Sequence, residues 1–388
     1  MIDIRSSRSL SLAALAAGLF TACATPPSPT APSLPKQTAS QPAHAVYQPS
    51  TWQKLPNWPG DDLNASFAAW QKSCPKLKQQ PWLKLCSEAK NIPAQSAQQF
   101  IESRFSPYQL TNADGSQTGL ITGYYEPVYL GSLQKTTLAP YPVYAPPKDM
   151  ITVELAALYP ELKGKRVRGR VIANKLVPYF NRADIVKNNI DAPVLAWLES
   201  PMDVQFLQIQ GSGRVRLADG KELRLGYADQ NGHPYKPVGR WLVEQEKLKA
   251  ADVSMQTIRS WADANPEQIE TLLDSNPSYV FFRTLPPSND GPVGAQNIPL
   301  TAGFSIAVDK KIIPLGSMAF IATERPDNGG GIHRLVAAQD TGGAIHGTVR
   351  ADFFWGTGDA AGELAGKMKQ SGQLWLLWPN DHPLPAAD

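Results

Sequence analysis

The sequence predicts a mainly β chain with helices, in which one β domain is interrupted by a second. Two observations carry that reading. Apolar runs of strand length, punctuated by Gly- and Asn-containing turns, fill residues 119–232 and return from Ser278 to the C-terminus. Helical periodicity precedes the first of these stretches and separates it from the second. Similar β material on both sides of a self-contained middle is the pattern of one domain inserted into another. The predicted division is a leader at 1–22, a tether at 23–50, one domain built from 51–138 and 275–388, and an insert at 139–274.

The leader reads as an export signal. Arg5 and Arg8 precede an apolar run of 11 residues, Leu10–Phe20, too short to span a bilayer and of the length of a signal core. It ends in Phe20-Thr21-Ala22-Cys23, which resembles a bacterial lipobox, where cleavage leaves Cys23 at the N-terminus for acylation. Ordinary cleavage after Ala22 with an incidental cysteine is the alternative. Ala24 after the cysteine resembles lipoproteins sent to the outer membrane, so the expected location is lipid-anchored there and facing the periplasm. Residues 24–50 are rich in Pro, Ser, Thr and Ala without apolar period, the composition of a flexible tether.

Helices are predicted at Asp61–Lys72, capped by Asp61 or Asp62, and at Ser96–Arg104, which carries Phe100 and Ile101. From Gly119 the chain turns β-rich, with Leu120–Tyr129, Val167–Ile172, Val204–Ile209 and Leu223–Leu225 as strands. Gly211, Gly213, Asp219-Gly220 and Asn231-Gly232 supply turns. Helices return at Val238–Lys249, Ser254–Ala264 and Pro266–Asp274, where Asn265-Pro266 gives a cap and a first-turn proline. The closing strands are Tyr279–Arg283, Phe304–Val308, Met318–Ala322, Leu335–Gln339 and Leu374–Trp378.

Composition narrows the function classes. An apolar fraction of 42% supports a full core; the net charge of +3 decides nothing about nucleic acid, but the lack of a long Lys or Arg block argues against that partner. Setting Cys23 aside leaves the pair Cys74 and Cys86. In an oxidising compartment they would form a disulfide contributing roughly 2–3 kcal/mol through loop entropy; two buried thiols are the alternative. No His lies near them and no metal-ligand spacing is visible, so no metal site is expected.

The densest polar cluster is C-terminal. An apolar strand runs into Asp340-Thr341-Gly342-Gly343, and Asp352 follows within Arg350-Ala351-Asp352-Phe353-Phe354-Trp355. Glycosidic cleavage needs a carboxyl that keeps its proton near neutral pH, and a buried aromatic setting raises a carboxyl's pKa. Asp352 has that setting, and Asp340 can hydrogen-bond through the turn or orient its partner. The plainer alternative is turn chemistry, with Asp340 closing an Asx-turn and the glycines at positive φ. Asp340-Thr341-Gly342 also matches the aspartic-protease triplet, which needs two facing copies where this chain has one. Gly211-Ser212-Gly213 and Gly356-Thr357-Gly358 lack the context of a dinucleotide site. His346, without a nearby nucleophile, reads as a surface residue.

Four spaced motifs then occur in order: Gly123-Tyr124-Tyr125-Glu126-Pro127, Gln208–Gly213, Asn276–Phe282 and the Asp340/Asp352 cluster. Together they closely resemble the membrane-bound lytic murein transglycosylase A family from about Trp52 to about Trp378, and the last cluster resembles its three-aspartate module. The resemblance implies a double-psi β-barrel with an inserted β domain, and a groove between them that holds peptidoglycan glycan strands. It implies a peptidoglycan lytic exotransglycosylase, a lyase that forms 1,6-anhydro ends without a cofactor. Asp352 is implied as the catalytic acid and base and Asp340 as its support, with Tyr124, Gln210 and Ser212 lining the groove. Val349-Arg350-Ala351, ahead of Asp352, departs from the His-Phe of some members. Cell-wall synthesis proteins are conceivable partners that the residues do not identify. Wall-polysaccharide binding without cleavage, as in expansin-like barrels, is the competing function.

Overall fold

The computed structural model describes residues 46–386 other than 163–164, 166, 189 and 381. The leader, Cys23 and the tether up to residue 45 lie outside the described residues. The end of the predicted tether is instead a strand, β1 (Tyr47–Pro49). Tyr47 buries its ring, and its hydroxyl donates to the Ile312 carbonyl at 2.7 Å.

Three helices follow: α1 (Leu63–Gln71), α2 (Trp82–Ala89) and α3 (Ala97–Arg104). The Asp62 side chain caps α1 by accepting from Ala65 N at 3.2 Å. Phe67 and Trp70 of α1 pack with Phe100 and Phe105, ring centroids 5.6–6.1 Å apart. Helix α2, inside the Trp52–Ser106 stretch that the sequence reads as helical but without bounds of its own there, buries Trp82, Leu85 and Ala89. A Cys74–Cys86 bond, Sγ–Sγ 2.04 Å, ties the turn after α1 to α2. Strands β2 (Phe105–Leu110) and β3 (Gly119–Glu126) complete this part.

The middle of the chain contains β4 (Val128–Ser132), β5 (Tyr141–Tyr144), β6 (Ile151–Thr152), β7 (Arg168–Ile172), β8 (Lys175–Pro178) and β9 (Val194–Leu198). It continues through β10 (Ser212–Arg216), β11 (Glu222–Gln230) and β12 (Val280–Leu285). Its helices are α4 (Arg182–Asn188), α5 (Pro201–Gln210), α6 (Val238–Glu244), α7 (Met255–Ala264) and α8 (Ile269–Asp274). Six of these strands form one sheet in the order β12-β11-β10-β4-β9-β5, and β6-β7-β8 form another. The larger sheet takes in β4 and β12, which lie outside 139–274, because pairing with β10 and β11 satisfies their backbones.

Val204–Ile209, predicted as a strand, is part of α5. Ser200 caps that helix through Met202 N at 3.2 Å, Pro201 opens it, and Gly211 closes it at φ 74°. Burial from Met202 through Gln208, broken only at half-buried Asp203, hides the helical period. Helix α6 stops at Glu244 instead of Lys249, and Glu246 turns to φ 55°.

The C-terminal part holds β13 (Ser305–Val308), β14 (Met318–Glu324), β15 (Gly331–Asp340), β16 (Ala351–Thr357), α9 (Asp359–Lys367) and β17 (Lys369–Pro379). The sheet order is β1-β2-β17-β14-β15-β13-β16-β3, and β17 also pairs with β3. The six strands from β17 round to β3 therefore close into a ring, with β3–β16 and β13–β15 parallel. Met318–Ile321, Leu335–Ala338 and Leu374–Leu377 fill its core together with the aromatic residues of the N-terminal helices.

Replacing Cys74 and Cys86 together by Ala should leave the fold intact and lower its unfolding free energy by about 3 kcal/mol, since 12 positions separate the pair. Urea titration under oxidising conditions checks this. An unchanged midpoint would deny the bridge any part in stability.

Candidate active site

The candidate site is assembled along β3. Its parallel register with β16 sets Thr122 opposite Asp352 and Tyr124 opposite Phe354. The Thr122 hydroxyl donates to Asp352 Oδ1 at 2.6 Å. Two residues on, where strand alternation returns the side chain to the same face, Tyr124 donates its hydroxyl to Asp340 Oδ2 at 3.1 Å. The Tyr124 ring packs on Phe354, centroids 5.2 Å apart. One strand thus holds both predicted acids.

Asp340 ends β15, and its other oxygen accepts from the backbone N–H groups of Ala295 at 2.8 Å and Thr341 at 2.9 Å. The residue before it, Gln339, is wholly buried and fully engaged. It accepts from Ser305 Oγ at 2.6 Å and donates to Ala69 O at 2.8 Å and Ser73 Oγ at 2.9 Å. This clamp fixes the end of β15 against α1. The turn beyond differs from the sequence reading: neither Gly342 nor Gly343 takes positive φ, and Gly347 does, at 110°. The Ile345 N–H closes the turn on Gly342 O at 3.0 Å.

Burial pushes the Asp340 carboxyl up to about 6, against the hydrogen bonds from Ala295, Thr341 and Tyr124, while the charge of Asp352 adds to the rise. Burial also raises Asp352, restrained by the Thr122 hydrogen bond and the Arg350 charge. Arg350 is held beside it by Leu120 O at 3.3 Å and Ala351 O at 2.5 Å. The arrangement is a carboxyl that retains its proton above the ordinary range, with a second carboxyl near it. Among the described residues, no three His, Cys, Asp or Glu side chains gather to hold a metal ion.

Gln210 also meets β3. Its Oε1 accepts from Tyr125 N at 3.2 Å, and its Nε2 reaches Met255 Sδ at 3.5 Å. Ser212 lies buried in β10 opposite Gly226. The flanking glycines have local roles: Gly211 terminates α5, and a Cβ on Gly213 would come within 2.5 Å of Leu207. Glu126, at the end of β3, is fully buried and accepts from Arg214 Nε of β10 at 2.9 Å and from Thr357 Oγ1 at 2.8 Å. These contacts join the closed sheet to the six-stranded one.

Sequence reasoning missed Thr122, Glu126 and Asp309. Asp309 follows β13, accepts from Gly347 N at 3.1 Å, and lies 3.8 Å from the exposed His346, so it steadies the loop between the two acids. An acid ending the apolar run Phe304–Val308, as Asp340 ends Leu335–Gln339, was its available signal.

Residues 120–283 match the MltA specific insert domain, and residues 304–378 match the 3D domain. The chain is 33% identical over 308 residues to membrane-bound lytic murein transglycosylase A of Escherichia coli K12, covering 77% of this chain and 74% of that protein. It belongs to the MltA family. The crystal structure of MltA from Neisseria gonorrhoeae superposes with a TM-score of 0.77 at 37% identity, over 88% of this chain and 97% of that one. The structure of Escherichia coli MltA with bound chitohexaose gives 0.65 at 26% identity, over 87% and 95%. Asp309, Asp340 and Asp352 all fall within the part matched to the 3D domain, whereas their partners Thr122 and Tyr124 fall within the insert match.

Folded Asp340 keeps its proton up to about pH 6, while an unfolded Asp releases it near ~4. Between those values the native state binds the extra proton, so stability falls as pH rises through the window. Asp340→Asn does not titrate. Its unfolding free energy relative to the parent should therefore rise by roughly 2–3 kcal/mol between pH 4 and pH 7. A difference that stays flat across that range would remove the raised Asp340 from the site.

Proposed function

We propose that this chain cleaves the MurNAc-β-1,4-GlcNAc bond of peptidoglycan without water, leaving 1,6-anhydroMurNAc ends. The observation that carries the proposal is Asp352, a carboxyl raised by burial and aimed by Thr122 from the paired strand. The protonated carboxyl gives its proton to the glycosidic oxygen as the bond from C1 to that oxygen breaks. The resulting carboxylate takes the proton of the MurNAc 6-hydroxyl, whose oxygen bonds to C1. Because that nucleophile belongs to the same sugar, its effective molarity is high and one carboxyl serves as acid and then base. Asp340 supports by holding the Tyr124 hydroxyl on the same face of β3.

The closed six-stranded ring with two parallel pairs is read as a double-psi β-barrel, and the six-stranded sheet as the domain inserted into it. A glycan strand is proposed to lie beside β3, with Tyr124, Gln210 and Ser212 as lining positions; the chitohexaose bound by the Escherichia coli relative supports a sugar polymer as the ligand. Acylation of Cys23 would place the enzyme on the outer membrane facing the periplasm, in keeping with the relatives' designation as membrane-bound.

Mass spectrometry of products from purified glycan strands tests the reaction. Anhydro ends are expected; reducing ends would mean a hydrolase, and unchanged strands a binder. Asp352→Asn should fold with an unaltered melting temperature and lose ~10²–10⁴-fold in cleavage. More than a tenth of parental activity would move the chemistry to another residue.

Thr122→Val removes the hydrogen bond that holds Asp352 down, so the carboxyl should keep its proton to higher pH. The alkaline limb of the kcat/KM profile, where the acid is lost, should then shift upward while KM changes little. A limb that does not move would separate Thr122 from the acid.

A further inference from the structure

Proton transfer at Asp352 leaves one neighbouring cation without a task. Ile121, Ala351 and Phe353 turn into the core of the ring. Alternation therefore turns Leu120, Thr122, Asp352 and Arg350, one residue ahead of β16, to the opposite face. Arg350 donates from Nη1 to Leu120 O at 3.3 Å and to Ala351 O at 2.5 Å, so one corner of the guanidinium is pinned to the backbone. The edge away from that corner, Nε with Nη2, is the one with which Arg325 and Arg216 grip Asp327 and Glu222. On Arg350 this edge has no partner among the described residues. Arg170, Arg224 and Arg334 each keep a buried, unpaired Nε; neither nitrogen of the Arg350 edge is buried in that way, so the edge opens to solvent.

The acids near it are otherwise engaged. Asp309 accepts from Lys311 N and from Gly347 N, each at 3.1 Å, and Asp340 is held by Tyr124, Ala295 and Thr341. Asp352 steadies the guanidinium by its charge, yet it must carry a proton before it can act as an acid. At that stage a half-buried cation stands beside the site without a counter-charge, a condition that an anionic partner relieves.

The surroundings indicate which anion fits. Leu120, whose carbonyl holds Arg350, is itself 42% exposed, so an open guanidinium edge adjoins an apolar side chain. MurNAc differs from GlcNAc by a lactyl ether on C3 that ends in a methyl and a carboxyl. This group hangs from the same ring whose C1 the acid would serve. A strand rise of ~3.3 Å per residue sets Arg350 about 7 Å along from Asp352, within the span of one sugar and its substituent.

We propose that the Nε–Nη2 edge of Arg350 binds the free lactyl carboxylate of the MurNAc at the cleaved bond, and so favours glycan stripped of its stem peptides. The choice of sugar rests on the transglycosylase reading. A carboxylate gripped by both nitrogens is fixed in orientation as well as neutralised, which a point charge would not achieve. Where a stem peptide is attached, the lactyl carboxyl is an uncharged amide, and the next carboxylate lies further along the stem.

The test uses the full chain carrying Asp352→Asn, whose amide stands in for the protonated carboxyl and leaves the strands intact. Its affinity is measured for peptide-stripped strands and for the same strands with their lactyl carboxyls converted to methylamides. The stripped strands should bind ~10-fold more tightly at low salt. Adding Arg350→Gln should abolish that preference, a comparison within one variant that does not depend on how much of it is folded. Adding Lys369→Gln, which removes an exposed cation opposite Thr122 on β17, should leave the preference parental. Strands with their peptides in place should bind like the methylamides. Equal affinity for the charged and neutral strands overturns the proposal, as does a preference that survives Arg350→Gln. So does an equal loss with Lys369→Gln, since a diffuse field would then be the cause, or peptide-bearing strands that match the stripped ones. Cleavage products of the parent are scored separately. Anhydro ends without the preference leave the reaction standing and sink this proposal, and the preference without anhydro ends does the reverse.

Discussion

Parallel pairing of β3 with β16 places Thr122 against Asp352 and, two residues on, Tyr124 within reach of Asp340. Both carboxyls owe their hydroxyl donors to that register. A slip of one residue would turn Thr122 and Tyr124 to the opposite face and leave two buried acids without hydroxyl partners. The ring closes around the same strand, since β3 also pairs with β17, so the register is constrained from both sides.

Two buried polar assemblies hold the ends of this arrangement. Gln339 spends its side-chain oxygen and both amide hydrogens on Ser305, Ala69 and Ser73, which ties the strand before Asp340 to α1. Glu126 joins Arg214 and Thr357 at the far end of β3. Breaking a buried ion pair by removing one partner typically destabilises by about 3–5 kcal/mol, because the other charge remains desolvated. The closed sheet and the six-stranded sheet are therefore coupled where the strand carrying the site passes from one to the other.

The electrostatics follow from burial opposed by a few aimed donors. Desolvation raises both acids, and the hydrogen bonds from Thr122, Tyr124, Ala295 and Thr341 limit the rise. A carboxyl near 3.9 would have lost its proton before neutral pH, and one raised without limit would not release it. The balance suits a group that must give a proton and then take one back.

Much of the framework was legible in the sequence because it rests on contacts between near neighbours. The helices at Asp61–Lys72, Ser96–Arg104 and Ser254–Ala264 and the C-terminal strands follow from apolar period and caps. Asp340 and Asp352 could be singled out from their own surroundings. Helix α5 was misread because burial on nearly all sides erases the period, and β1 because its partner strand lies some 60 residues on. Thr122 carried no local signal at all. It lies 230 residues from the acid it serves, and only the closure of the sheet brings them together. Local side-chain patterns determined which elements form and which acids stand out. The tertiary structure alone decided which hydroxyl meets which carboxyl, because a hydrogen bond depends on separations of a few ångströms that sequence distance does not encode.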